Sequence, residues 1–143
     1  MANPMNPLAD LFGGKDEKEN KKEMKSEQTI PSLLFKSQLD TKITHLLQKD
    51  KTLARHNALE MYYDEIGDKI DTFVETYMGL YPVEDICIEE SCCIKEPLVY
   101  FKSLYLQIEK LRKPIKETFL QNQIDEVQQL IAHTLYRLNY ITT

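Results

Sequence analysis

Between residues 53 and 79, apolar side chains return every three or four positions: Leu59, Tyr63, Ile66, Ile70, Phe73 or Val74, and Tyr77. Side chains at that spacing share one face of an α-helix, whereas a strand would scatter them over both of its faces. The stripe persists for about five turns and ends before Pro82, which has no amide hydrogen to continue a helix. A helix of this length draws most of its stability from burying such a stripe, so the rest of the chain has to supply packed partners.

Three further segments carry the same period. Helix one is expected from Pro31 and Ser32 to about Asp50, with Phe35, Leu39, Ile43, Leu46 and Leu47 inward. Helix three opens at Pro97 and repeats Phe101, Leu104, Ile108, Leu111, Ile115 and Phe119 in phase through Pro114. The unbroken phase predicts a kink near residues 110–114 rather than an end. Asn122 is a suitable cap for helix four, which turns Ile124, Val127, Leu130 or Ile131, Leu135, Leu138 and Ile141 inward. Gly67, in the middle of helix two, costs roughly 1 kcal/mol against alanine and so implies close packing of a neighbouring backbone. Residues 82–97 break the period, and Ile86, Cys87, Ile88 and Ile94 there suit an extended loop or a short strand pair.

At 143 residues and 42% hydrophobic content the chain is sized for one domain. The expected fold is all-α: an antiparallel four-helix bundle over residues 31–143, with 82–97 as its one long crossover. That arrangement is ferritin-like.

Residues 1–30 have no core of their own and read as a disordered or extended arm. Within them, residues 13–28 set five lysines against five acids around a single apolar side chain, Met24. Such a stretch buries too little to offset its ordering entropy. In front of it, residues 4–12 gather Met5, Pro7, Leu8, Leu11 and Phe12. Pro7, Leu8, Leu11 and Phe12 have the composition of a peptide that docks in a protein partner's groove, although a frayed terminus has the same composition.

A net charge of -5 and a pI near 5.2 repel polyanions overall. The arm's balanced charges add no positive tail, so direct DNA binding is not expected. Asp10 interrupts the only early apolar run and no stretch is of membrane-spanning length, which points to a soluble, intracellular protein. Cys87, Cys92 and Cys93 are odd in number and form no Cys-x-x-Cys pair, so reduced thiols are expected rather than disulfides or a zinc site.

Di-iron bundles commonly take Glu-x-x-His pairs, because side chains three apart on a helix can chelate one metal. The residues three before His45, His56 and His133 are Lys42, Leu53 and Leu130, so that arrangement is excluded. What remains is His45 near the end of helix one, His56 near the start of helix two, and Asp71 and Glu75 one turn apart further along it. His133 reads as a helix-four histidine bonded to a neighbour.

The stretch HNALEMYYDEIGDKIDTFVE, with His45 upstream, resembles the Dps family, the miniferritins whose iron site lies between subunits. The resemblance implies His45, His56, Asp71 and Glu75 as iron ligands, with ferroxidase activity and a homo-oligomer. A rise of roughly 22 Å separates His56 from Asp71 along a continuous helix, so the two cannot hold one metal within a single chain. A two-fold partner laid antiparallel would bring the carboxylates of one copy to the histidines of the other. Together with FLQNQIDEVQQLIAHTLYRLNYI, the chain looks like Dps-like proteins encoded by tailed bacteriophages, implying a place in the bacterial cytoplasm or the virion. It departs from the Dps pattern in having Leu46 where a tryptophan usually follows the first histidine.

A second reading stays open. Glu60, Asp64, Asp68, Asp71 and Glu75 form a stripe that any solvated helix face would show. The bundle would then be a non-catalytic structural or adaptor protein of a bacteriophage particle, tethered through residues 4–12.

Overall fold

The computed structural model describes residues 28–48 and 52–143. Among them are four helices and no strand: α1 (Ile30–Leu47), α2 (Leu53–Leu80), α3 (Pro97–Leu111) and α4 (Thr118–Tyr140). Two hydroxyls set the starts of the first pair. Thr29 accepts a hydrogen bond from the Ser32 amide at 3.2 Å with Pro31 in the first turn, and Thr52 accepts from the Arg55 amide at 3.1 Å.

Cross-links fix the directions. Ser37 pairs with Tyr62, and further along α1 His45 meets the His56 carbonyl near the start of α2, so α1 and α2 run antiparallel. Thr76 meets Gln123 and Tyr81 meets Glu117, which sets α4 antiparallel to α2. Tyr105 meets Gln128 and Arg112 meets Gln121, which does the same for α3 and α4. Leaving the far end of α2 at Tyr81, residues 82–96 return the length of the helices. There the Cys92 amide donates to Asp40 and the Ile94 amide to Thr44. Leu59, Ile66, Ile70 and Phe73 of α2, Phe101 and Ile108 of α3, and Leu120, Ile124 and Ile131 of α4 form the common core.

The inward face of α1 is not the expected one. Leu39, Leu46 and Leu47 are 43%, 69% and 60% exposed, and Phe35 and Ile43 are only half-buried. The buried face is Ile30, Leu33, Leu34, Ser37, Asp40, Thr41, Thr44 and His45. Its hydroxyls are satisfied locally: Ser37 donates to the Leu34 carbonyl, Thr41 to Ser37 and Thr44 to Asp40, at 2.6–2.7 Å. A hydroxyl bonded to the preceding turn brings no unpaired polar group into the core. Asp40, 1% exposed, accepts from Lys36 Nζ at 2.6 Å, the Tyr100 hydroxyl at 2.9 Å and the Cys92 amide at 3.2 Å.

Helix three also departs from expectation. Pro114 ends it rather than kinking it: α3 stops at Leu111, and a turn precedes α4 at Thr118. Asn122 therefore lies inside α4 instead of capping it. The apolar phase continued only because Ile115 in the turn still reaches the core, while Phe119 faces outward and Leu120 replaces it. Arg112 clamps the turn by donating to the Gln121 side chain and carbonyl, to Gln128 and to Asp125, while Gln121 Nε2 donates back to the Arg112 and Ile115 carbonyls. In α2, Tyr62 rather than Tyr63 is in the core. Gly67 faces the Gln38 side-chain amide, which a Cβ would meet at 3.2 Å, rather than a neighbouring backbone. Residues 82–96 form neither helix nor strand pairing, and of their apolar side chains Ile94 is buried.

Asp40→Ala strips an acceptor from three donors, two of them on the crossover and α3. Urea unfolding should show a loss of about 2–4 kcal/mol with the slope unchanged. A loss below about 0.5 kcal/mol, the scale of an ordinary surface change, would remove this carboxylate from its organising role.

The Tyr81 hydroxyl donates to Glu117 Oε1 at 2.6 Å, tying the end of α2 to the start of α4. That bond holds the Glu117 carboxyl below its ordinary 4.5. Burial, with Glu117 adding to it, pushes Tyr81 from 10.0 up to about 12. The depressed carboxyl contributes stability above pH 4.5 that is lost as pH falls further; the raised phenol contributes below pH 10 and is lost toward pH 12. The stability advantage of the native chain over Tyr81→Phe should therefore be flat at mid-range pH and shrink at both ends. A gap independent of pH would show that the bond is not coupled to either proton.

Candidate metal centre

The short connection between α1 and α2 folds the end of one helix onto the start of the next, which sets His45 against His56. Their rings stack with centroids 3.7 Å apart and planes 28° from parallel. His45 is 7% exposed, and its Nδ1 lies 3.1 Å from the His56 carbonyl oxygen. A carbonyl only accepts, so in neutral His45 the proton sits on Nδ1 and the Nε2 lone pair is left for another partner. Metal-binding histidines are commonly oriented in this way, by donating their other ring nitrogen to a carbonyl or carboxylate. Tyr63 meets His45 edge-on at 5.2 Å, and Lys42 Nζ stands 5.8 Å over the Tyr63 ring.

Asp71 and Glu75 are exposed on α2, on the side away from the buried Phe73 and Val74. Among the described residues no three His, Cys, Asp or Glu side chains of one chain come together as a metal site. The structure thus brings His45 and His56 together and leaves Asp71 about 22 Å and Glu75 about 28 Å further along α2. Pro7, Leu8, Leu11 and Phe12 lie outside the described residues. His133 is exposed on α4, and Cys87, Cys92 and Cys93 are free, exposed thiols.

Sequence reasoning missed the polar cluster inside the helices, Asp40 with Tyr100, Lys36 and the crossover amides. Its signal was present: Ser37, Asp40, Thr41 and Thr44 recur at helical spacing, but as polar residues. Burial pushes the Tyr62 and Tyr100 hydroxyls far above their ordinary range, and for Tyr100 the neighbouring Asp40 carboxylate adds to the effect. Both stay protonated as donors. The three donors to Asp40 tie it to its own helix, to α3 and to the crossover, so this cluster is structural.

A family model, that of the family of unknown function DUF5856, matches residues 45–138, and the chain belongs to that family. The matched span runs from His45 through α4 and takes in His56, Asp71 and Glu75. No curated protein and no solved structure matches the chain.

The His45 geometry has a direct spectroscopic consequence. At a pH where the ring is neutral, long-range proton–nitrogen correlation should show the proton on Nδ1. A proton on Nε2 would mean that the contact with the His56 carbonyl is absent and that the ring is not oriented for a ligand.

Proposed function

We propose that this member of the family is a Dps-like protein of ferritin-like fold that binds iron between two copies of the chain and oxidises it there. His45 and His56 of one copy would supply nitrogen ligands, and Asp71 and Glu75 of the other carboxylate oxygens. The observation that carries the reading is the oriented histidine pair at one end of α2, with two exposed carboxylates one turn apart further along the same helix. An antiparallel two-fold copy is the simplest operation that joins such half-sites, and closed two-fold dimers are the commonest homo-oligomers. The connectivity gives further support: two antiparallel helix pairs joined by a crossover running the length of the helices is the ferritin-like order.

Mixed imidazole and carboxylate ligation suits iron, and four side chains leave positions free for an oxidant. Fe(II) is the substrate. Its oxidation moves one electron from each ion to dioxygen or peroxide, and the chain's own part is to hold Fe(II) and leave that access open.

Anaerobic Fe(II) titration, followed by air or peroxide, should show saturable binding and fast oxidation in a dimer or larger assembly sized by light scattering. His56→Ala and Asp71→Asn should each abolish binding with helix content intact. Unfolded and refolded together in equal amounts, the two variants should regain about a quarter of the sites, because half the dimers are mixed and each mixed dimer keeps one site with all its ligands. Binding no greater than that of buffer overturns the iron reading and leaves the adaptor alternative. Binding that survives in the single variants, or no recovery in the mixture, removes these residues from a shared site.

A further inference from the structure

Three sides of the helical ring are closed by extensive packing, of α1 on α2, α2 on α4 and α4 on α3, but α3 touches α1 only lightly. Between those two helices lies a cleft of about 590 Å³, within the size range of pockets that enclose small apolar ligands. Leu33, Ile94 and Leu104 make its buried floor. Val99, 60% exposed, stands on its rim with the thiols of Cys92 and Cys93. Asp40, the buried charge among its lining residues, already accepts from Lys36, Tyr100 and the Cys92 amide, and Glu89, Lys95 and Glu96 are exposed at the rim, so the base of the cleft offers apolar surface rather than a vacant charge.

What fills it is indicated by where the described chain begins. Gln28 lines the cleft, so the residues that precede it are delivered to its mouth. The first of these, back to Gly13, are charge-balanced and contain one apolar side chain; then come Phe12, Leu11, Leu8 and Met5. The sixteen residues from Phe12 to Gln28 reach up to about 55 Å when extended and average roughly 22 Å as a flexible coil. The 18 residues of α1 span about 27 Å, so every part of the cleft is within range. Tethering at that length gives an effective concentration in the millimolar range, at which even weak apolar docking is populated.

We propose that the Met5–Phe12 segment docks in the α1/α3 cleft of its own chain, with Leu8, Leu11 and Phe12 against the apolar floor and covering Cys92 and Cys93. This surface is separate from the histidine pair, and the proposal stands or falls independently of iron binding.

The thiols supply the test, with Cys87 outside the cleft as an internal control. N-ethylmaleimide modification of the full chain, followed at each cysteine by peptide mass spectrometry, is compared with Leu8→Asp/Leu11→Asp and with Val99→Asp. Both variants should modify Cys92 and Cys93 several-fold faster than the native chain does, with Cys87 unchanged and the native protection independent of protein concentration. Equal rates in all three proteins overturn the proposal. A response to the Leu8/Leu11 pair without one to Val99→Asp places the segment elsewhere. Protection that fades on dilution assigns the covering segment to another copy.

Discussion

Asp40 is where three parts of the chain that are distant in sequence are joined. One oxygen receives the crossover's amide at Cys92; the other receives Tyr100 from α3 and Lys36 from its own helix. A buried carboxylate carries a desolvation cost of several kcal/mol, offset here by three donors, one of them charged. Remove it and the crossover is held near α1 mainly by the Ile94 amide on Thr44 and by burial of Ile94 itself. The start of α3 depends on the crossover, and α3 touches α1 so lightly that little else sets its position there. Specificity of arrangement, more than raw stability, is what such a cluster contributes: apolar helices slide past one another at small cost, but a carboxylate with three fixed donors has one register.

This is also why hydropathy gives the first helix but not its buried face, while for the second it gives both. In α2 burial and hydropathy coincide at Leu59, Ile66, Ile70, Phe73, Val74 and Tyr77, with Tyr62 taking the core position expected of Tyr63, and the period gives both the element and its face. In α1 two helical stripes compete, one of leucines and one of hydroxyls around Asp40. Hydropathy selects the leucines. The structure buries the other stripe, because Ser37, Thr41 and Thr44 satisfy themselves against the preceding turn and Asp40 finds partners more than fifty residues away. No local pattern reports a donor that arrives from the crossover. Pro114 failed for a related reason: phase records which residues reach the core, and Ile115 reaches it from a turn as well as it would from a helix.

Of the candidate site, the half that local geometry controls is legible in the sequence. A short connection between antiparallel helices necessarily brings a histidine late in the first near a histidine early in the second, and His45 and His56 stack accordingly. It could not show that the His56 carbonyl would orient the His45 ring, since that depends on the angle between the helices. The distance from His56 to Asp71 follows from helical rise alone, which is why a single chain was never expected to close the site. The acidic stripe from Glu60 to Glu75 is legible as charge, but charge of this kind serves a solvated face and a ligand set equally well.

The outward leucines bear on how copies of the chain would meet. Leu39, Leu46 and Leu47, with Leu53 at 66% exposed across the connection, give the α1/α2 edge an apolar ridge beside the histidine pair. Large apolar side chains clustered on one edge are characteristic of a surface that is covered in an assembly. Covering them would draw two copies together at the end that carries His45 and His56. An antiparallel approach would also bring the acidic stripe of each α2 toward the partner's α1/α2 edge, where, among the described residues, Lys42 and Arg55 offset only part of its charge. Hydrophobic burial would favour the contact and carboxylate repulsion would oppose it, so a cation held between histidines and carboxylates would strengthen the same contact that creates its site. On the proposed reading, iron binding and association are therefore thermodynamically linked, each increasing the affinity of the other by the same factor.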